Sequence, residues 1–314
     1  MGRVISVFLI AAVAVFGFLF FKKDIVSLQS PAPDVYGTSK SNISNDWFPK
    51  SKNSKNTDSL NISAKSAILV DYDTGEVIYA KNPLERLPAA STIKIMTALV
   101  TLENAKLSDK FTVSERAAKI GENAMGLTQG ETLTLEELLY GAMLVSGNDA
   151  AVTIAEGVFR FEDAFVEKMN RTAGDMGLFD TKFVNASGLD DDGKVQYTTA
   201  FDLATIARFA WEKYPVFRKI VSTYTRTIDA NYGHKAFELY NDTNLLITYP
   251  GVRGIKPGFT WDAGWCLVTY AENGDKKLLA VILGSDDRRG EMIALLDYGF
   301  AKFGIKVDHP DLDL

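Results

Sequence analysis

Strand-like runs at both ends of residues 62–308, with helical patterns between them, constrain the fold of this chain more than any other feature. Ser66 to Tyr72 and Glu76 to Ala80 are rich in β-type residues, and Asp73-Thr74-Gly75 joins them as a hairpin turn. Near the other end Thr223 to Asp229, Val252 to Gly258, Gly264 to Glu272 and Lys276 to Leu283 read as strands, the last two joined by Asn273-Gly274. The interior is helical in pattern. A helix starts around Ser91. Another spans Leu135 to Val145, opened by the capping box Thr134-Leu135-Glu136-Glu137 and carrying Leu135, Leu138, Leu139 and Met143 at helical spacing. Further helices start from Asp149, Glu162 and Thr199, and a last one runs from about Arg289 to Phe303. Strands that enclose helices imply an α+β fold: an antiparallel sheet flanked by helices, plus a separate helical cluster.

Ahead of that unit the chain changes character twice. Val4 to Phe21 is apolar apart from Ser6 and Gly17, with Arg3 before it and Lys22 and Lys23 after it. The run is marginal for a full membrane span, long for a signal-peptide core, and followed by no small-x-small cleavage site. An uncleaved membrane anchor over residues 1–23 is therefore expected, with a secreted protein as the outcome if the segment is cut. Basic residues flank both ends, so charge does not set the orientation. Residues 24–61 are rich in Ser, Asn, Lys, Asp and Pro, too polar to build a core, and read as a flexible linker with an end-to-end distance of roughly 35 Å. The expected organisation is anchor 1–23, linker 24–61, folded domain 62–308 and tail 309–314.

Composition excludes several kinds of chemistry. A net charge of −6 without a concentrated basic run argues against nucleic acid as a partner. Cys266 is the sole cysteine, so no intramolecular disulfide forms, and its place in a strand reads as a small buried hydrophobe. Of the two histidines, His234 and His309, neither sits in a metal-ligand or nucleophile motif. The expectation is chemistry without metal or cofactor, with lysine as the base.

Ser91-Thr92-Ile93-Lys94 supplies that lysine. A serine and a lysine three apart on a helix share a face, so the amine can reach the hydroxyl and take its proton. Pro88 pre-sets the backbone entering the helix, and Ala89 and Ala90 leave room beside the serine. Alone the spacing is weak, because it recurs by chance. Two later elements give it weight: Ser146-Gly147-Asn148 after the Leu135 helix, where Gly147 is expected to end the helix, and Lys256-Pro257-Gly258 inside a strand.

In that order the three elements resemble the serine D-alanyl-D-alanine carboxypeptidases, the low-molecular-mass penicillin-binding proteins. The likeness extends over Val70-Asp71-Tyr72-Asp73-Thr74-Gly75, Leu138-Leu139-Tyr140-Gly141 and Asn148-Asp149-Ala150-Ala151. It continues through Phe183-Val184-Asn185-Ala186-Ser187-Gly188-Leu189, Gly254-Ile255-Lys256-Pro257-Gly258-Phe259-Thr260 and Ala263-Gly264-Trp265-Cys266. In all it covers roughly residues 62 to 305. The resemblance implies the serine β-lactamase and penicillin-binding-protein transpeptidase fold. It also implies an extracytoplasmic catalytic domain acting on peptidoglycan stem peptides and inhibited by β-lactams. Many relatives add a β-rich domain and an amphipathic membrane helix, for which Ile305 to Leu314 leaves no room, so anchoring is expected to fall to the N-terminal segment.

The resemblance also implies the roles. Ser91 attacks the carbonyl between the terminal D-alanines and forms an acyl-enzyme; Lys94, held neutral by burial and by the charge of Lys256, is the base. Ser146 relays a proton to the leaving amine, and Asn148 binds Lys94 or the substrate. Lys256 attracts the substrate carboxylate, Gly258 lets substrate lie close, and the amides of Ser91 and Phe259 form the oxyanion hole. Pro257 departs from the family, which has threonine there. It lacks that hydroxyl and an amide proton, so carboxylate recognition is expected to weaken unless Thr260 compensates. Glu167 to Asn170 read as helix surface rather than a deacylating carboxylate, against a β-lactamase. A D,D-endopeptidase and a weakened wall-peptide-binding protein stay open as alternatives.

Overall fold

The computed structural model describes residue 49 and residues 60–190 and 193–310. The expected anchor, nearly all of the expected linker and the last four residues of the tail lie outside the described residues. Among the described residues no helix is long and apolar enough to cross a membrane.

Five strands make the central sheet: β1 (Ser66–Asp71), β2 (Val77–Lys81), β3 (Val252–Thr260), β4 (Gly264–Asn273) and β5 (Lys276–Ser285). Their order is β2-β1-β5-β4-β3 and every neighbouring pair is antiparallel. The early hairpin and the late meander therefore join through β1 and β5, with Ile68 opposite Val281 and Leu69 opposite Ala280. Residues along a strand alternate between faces. Ile68, Val70, Leu279, Val281 and Leu283 enter one core, while Ala67, Leu69, Leu278, Ala280 and Ile282 enter the other. Both faces are buried, so these strands read as unbroken apolar runs rather than as alternation. Each fully buried leucine or isoleucine contributes roughly 1.5–3 kcal/mol.

Six helices matter for the site: α1 (Lys94–Asn104), α2 (Leu135–Leu144), α3 (Asn148–Phe159), α4 (Glu162–Asp175), α5 (Ala200–Lys213) and α6 (Arg288–Lys302). The capping box is present, with Thr134 Oγ1 accepting from Glu137 N and the Glu137 carboxylate accepting from Thr134 N. Thr199 and Asp287 cap α5 and α6 with their side chains, accepting from the Asp202 and Gly290 amides. Met292, Leu295, Leu296 and Phe300 of α6 cover one face of the sheet. Leu203, Ala207, Ala210 and Trp211 of α5 lie on the other, in a core that continues without a break into α1, α2, α3 and α4. The helical cluster shares this core with the sheet, because α1 packs among the other helices, α5 included, while the turn that precedes it packs on β3 and β4.

The strand read at Thr223 to Asp229 is present at Thr225–Ile228 but lies outside the main sheet, and three short strands were not read from the sequence. Thr225–Ile228 pairs with Phe237–Tyr240 outside the main sheet, and Lys110–Thr112 pairs with Thr132–Thr134. Runs of three or four residues are too short to show a period. Cys266 is fully buried on β4, where burial pushes its thiol up to about 12, so it stays a protonated hydrophobe. His234 bonds Asn231 and the Lys235 carbonyl, and His309 bonds Asp297. Neither lines the cleft described next. Among the described residues no cluster of His, Cys, Asp and Glu could hold a metal ion.

Candidate active site

Ser91 does not sit on the α-helix. It lies in a 3₁₀ turn, Ala90–Ile93, and α1 begins at Lys94. With three residues per turn, positions i and i+3 eclipse, which brings Lys94 Nζ to 2.8 Å from Ser91 Oγ. Ala90 holds φ 47, a left-handed conformation that a side-chain-bearing residue adopts only at a cost of about 1–3 kcal/mol. The neighbouring contacts keep it there: Gly258 and Gly188 both pack directly on the Ala90–Ser91 backbone.

Lys94 is fully buried and has three partners: Ser91 Oγ, Asn148 Oδ1 at 2.8 Å and the Ser187 carbonyl at 2.6 Å. Nζ can donate to all three as an ammonium; once the amine is neutral, two N–H groups serve the two carbonyl-type oxygens and the lone pair can turn to the serine hydroxyl. Burial lowers the Lys94 pKa well below the usual lysine value, the Lys256 charge lowers it further, and Asp149 and Glu122 oppose both.

Asn148 is held from both sides, its Nδ2 donating to the Gly121 carbonyl and its amide donating to the Asn123 carbonyl. Asp149, the next residue, is buried and accepts from the amides of Met125, Gly126 and Leu127 at 2.8 Å each. One carboxylate thus clamps the 121–127 segment, whose Glu122 and Asn123 line the cleft. Ser146, not Gly147, carries the left-handed turn between α2 and α3, at φ 60. Gly147 has φ −56 and instead fits against Met125 N, where a Cβ would come within 2.9 Å. The Ser146 side chain lines the cleft but is not among the three partners of Lys94.

The cleft has a volume of about 410 Å³ and runs between this helical edge and β3. β3 is an edge strand, where proline is tolerated, and Pro257, Gly258, Phe259 and Thr260 all line the cleft. Gly258 lies so near the nucleophile turn that a Cβ would come within 2.9 Å of Ser91 N and 3.0 Å of Thr92 N. The close approach that demands glycine is therefore made by the protein's own serine turn, alongside any substrate.

Two expected roles on β3 change. Lys256 is fully buried, its Nζ donates to the Pro257 carbonyl at 3.2 Å, and it is not in the cleft lining; burial lowers its pKa to about 7. It acts on Lys94 from beneath the cleft surface, on the face of β3 that Gly258 turns toward the serine turn. The cation in the lining is Arg288, at the start of α6, whose nearest carboxylate, Asp242, lies 3.9 Å away. Arg288 escaped the sequence reading because nothing local marks it; the fold carries it to β3 across the β4–β5 hairpin. Thr260 does not offer a spare proton: its hydroxyl donates to Asp190 Oδ1 at 2.9 Å and accepts from Ala263 N at 3.2 Å. Glu167, in contrast, is exposed and pairs with Arg171 on the helix surface, as expected.

The model of the D-alanyl-D-alanine carboxypeptidase family matches residues 51–287. D-alanyl-D-alanine carboxypeptidase DacF of Bacillus subtilis is 39% identical over 257 residues, covering 79% of this chain and 65% of that relative. D-alanyl-D-alanine carboxypeptidase DacB2 of Mycobacterium tuberculosis is 33% identical, covering 76% of this chain and 82% of its own length. Among solved structures, the Streptomyces K15 DD-transpeptidase superposes with a TM-score of 0.72 at 30% identity, over 78% of this chain and all of that one. Penicillin-binding protein D2 of Listeria monocytogenes in its ampicillin-bound form reaches 0.70 at 29% identity, over 78% of this chain and all of that one.

Proposed function

Because the chain belongs to the D-alanyl-D-alanine carboxypeptidase family, we propose that it is a serine D,D-carboxypeptidase acting on peptidoglycan stem peptides through a Ser91 acyl-enzyme. The observation that carries this reading is the three-partner site of Lys94.

Ser91 Oγ attacks the carbonyl of the penultimate residue while its proton passes to the Lys94 lone pair. Asn148 Oδ1 and the Ser187 carbonyl hold the amine in line and then stabilise the ammonium as it forms. The amides of Ser91 and Phe259 receive the oxyanion. Lys94 returns the proton to the leaving amine, with the Ser146 hydroxyl as the relay into the cleft. The terminal amino acid departs, and water cleaves the ester with Lys94 again as base. Arg288, a permanent cation half-buried on the cleft wall, takes the substrate carboxylate. Lys256, Gly258 and Thr260 serve from the strand: a buried charge beside Lys94, close approach along it, and a fixed turn at its end. A free carboxylate anchor supports a carboxypeptidase over an endopeptidase that cuts within cross-links. Residues 1–23 anchor the chain and residues 24–61 tether the domain outside the membrane.

A β-lactam presents the same acyl group with a leaving group that cannot diffuse away, so benzylpenicillin should add one drug mass to the intact protein. A pentapeptide ending in D-alanyl-D-alanine should release D-alanine. An adduct that persists in Ser91→Ala, or folded protein that neither acquires mass nor releases D-alanine, overturns the assignment.

A further inference from the structure

The lip of the cleft beyond Gly258 is aromatic. Phe259 meets Trp261 edge-on with ring centroids 5.6 Å apart and Trp265 at 4.3 Å, and the Arg288 guanidinium lies 4.5 Å over the Trp265 ring. All four line the cleft that holds Ser91, and Pro257 extends the same wall toward the nucleophile. Folding leaves this surface in water: Trp261 is 90% exposed and Trp265 37%. Along β3 the wall offers few free polar side chains, since residue 257 is proline and the Thr260 hydroxyl is already donated to Asp190, while Glu122, Asn123 and Asp242 line the same cleft.

We propose that Phe259, Trp261 and Trp265 form a side-chain subsite for the departing residue, and that this site prefers a terminal D-amino acid with a large apolar side chain over D-alanine. The inference rests on the carboxypeptidase reading, with Arg288 as the carboxylate anchor. The anchor and the wall share one ring. A terminal residue whose carboxylate meets the guanidinium above Trp265 must lay its side chain against Trp265 and Phe259, with Trp261 closing the outer side. A methyl group covers little of three aromatic rings, whereas a leucine or phenylalanine side chain covers them. The chemistry is ordinary peptide hydrolysis: the C–N bond breaks, water supplies OH to the acyl carbon and a proton to the amine, and no other reactant enters.

The test is a set of pentapeptides differing only in the last residue, D-alanine, D-leucine or D-phenylalanine, with the released amino acid measured and kcat/KM compared. A few methylenes in an apolar pocket are worth roughly tenfold or more, so the D-leucine and D-phenylalanine peptides should exceed D-alanine by at least that factor. Trp261→Ala should lower that ratio by roughly tenfold. This side chain is almost wholly exposed, so a melting temperature within about 2 °C of wild type, less than 1 kcal/mol for a domain this size, identifies the change as one of recognition. Release from every peptide with a ratio of one or below, or a ratio unmoved in Trp261→Ala, overturns the subsite and leaves the carboxypeptidase reading standing. No release from any peptide overturns both.

Discussion

Gly188→Ala should uncouple folding from catalysis, because the glycine sits where the two loops of the site touch. Gly188 has φ +86, and a Cβ there would come within 2.2 Å of the Ala90 carbonyl oxygen and 2.9 Å of Ser91 N. An ordinary carbon–oxygen contact needs the gap to open by about 1 Å. Either the Ala90–Ser91 turn moves and carries the nucleophile with it, or residue 188 moves and drags the Ser187 carbonyl from its place 2.6 Å from Lys94 Nζ. Both displacements spoil the same alignment. A side chain at this φ costs roughly 1–2 kcal/mol, which for a domain of this size lowers the melting temperature by roughly 2–8 °C. A misplacement of about 1 Å at the reacting atoms costs on the order of 10²-fold in rate. The assay is the second-order rate of Ser91 acylation by a fluorescent penicillin, measured well below the melting temperature of the variant. A variant that loses stability but acylates within about threefold of wild type would refute the reasoning. It would mean that the two turns are packed together but not coupled to the chemistry.

Other consequences follow from the same contacts. Asp149→Ala leaves three amides of the 121–127 segment without their acceptor, at roughly 1–3 kcal/mol for each that stays buried; faster hydrogen exchange confined to that segment, with a rise in KM, is the expected readout. Acylation should fall as pH drops through the lowered pKa of Lys94, because only the neutral amine accepts the serine proton. Lys256→Met removes the second largest cause of that lowering, so the pH–rate profile should shift to higher pH; an unmoved profile would show that burial alone sets Lys94. Lys256 has a folded pKa of about 7 against the ordinary 10.5, so the unfolded chain binds the extra proton between those values. Stability should therefore rise from pH 7 to 10.5, by up to about 1.4 kcal/mol per pH unit from this group. Urea denaturation of wild type against Lys256→Met measures that slope, which the variant should lose.

The strands, most helices and the serine–lysine pair were legible in the chain because each is set over a few residues. The capping box at Thr134, the hairpin at Asn273-Gly274 and the apolar runs of β1, β4 and β5 act through neighbours within one turn or one strand. Ser91 and Lys94 meet for the same reason, although a 3₁₀ turn rather than an α-helix makes them eclipse. The order of the three motifs was enough to point to a family. It was not enough to assign every charge. Lys256 was given the cleft charge by its motif, yet the packing of β3 against the helical edge buries its side chain and leaves Arg288 as the cation of the lining.

What tertiary structure alone decided is who completes the site. The Ser187 carbonyl reaches Lys94 across 93 residues of chain and Asn148 across 54. Asp149 grips a segment 22 to 24 residues before it, and Arg288 arrives at β3 from the far end of the β4–β5 hairpin. A carbonyl has no side-chain signature, and a lone arginine at a helix start carries none either. Their roles arise only when the sheet, paired through β1 and β5, brings the ends of the domain together around one buried lysine.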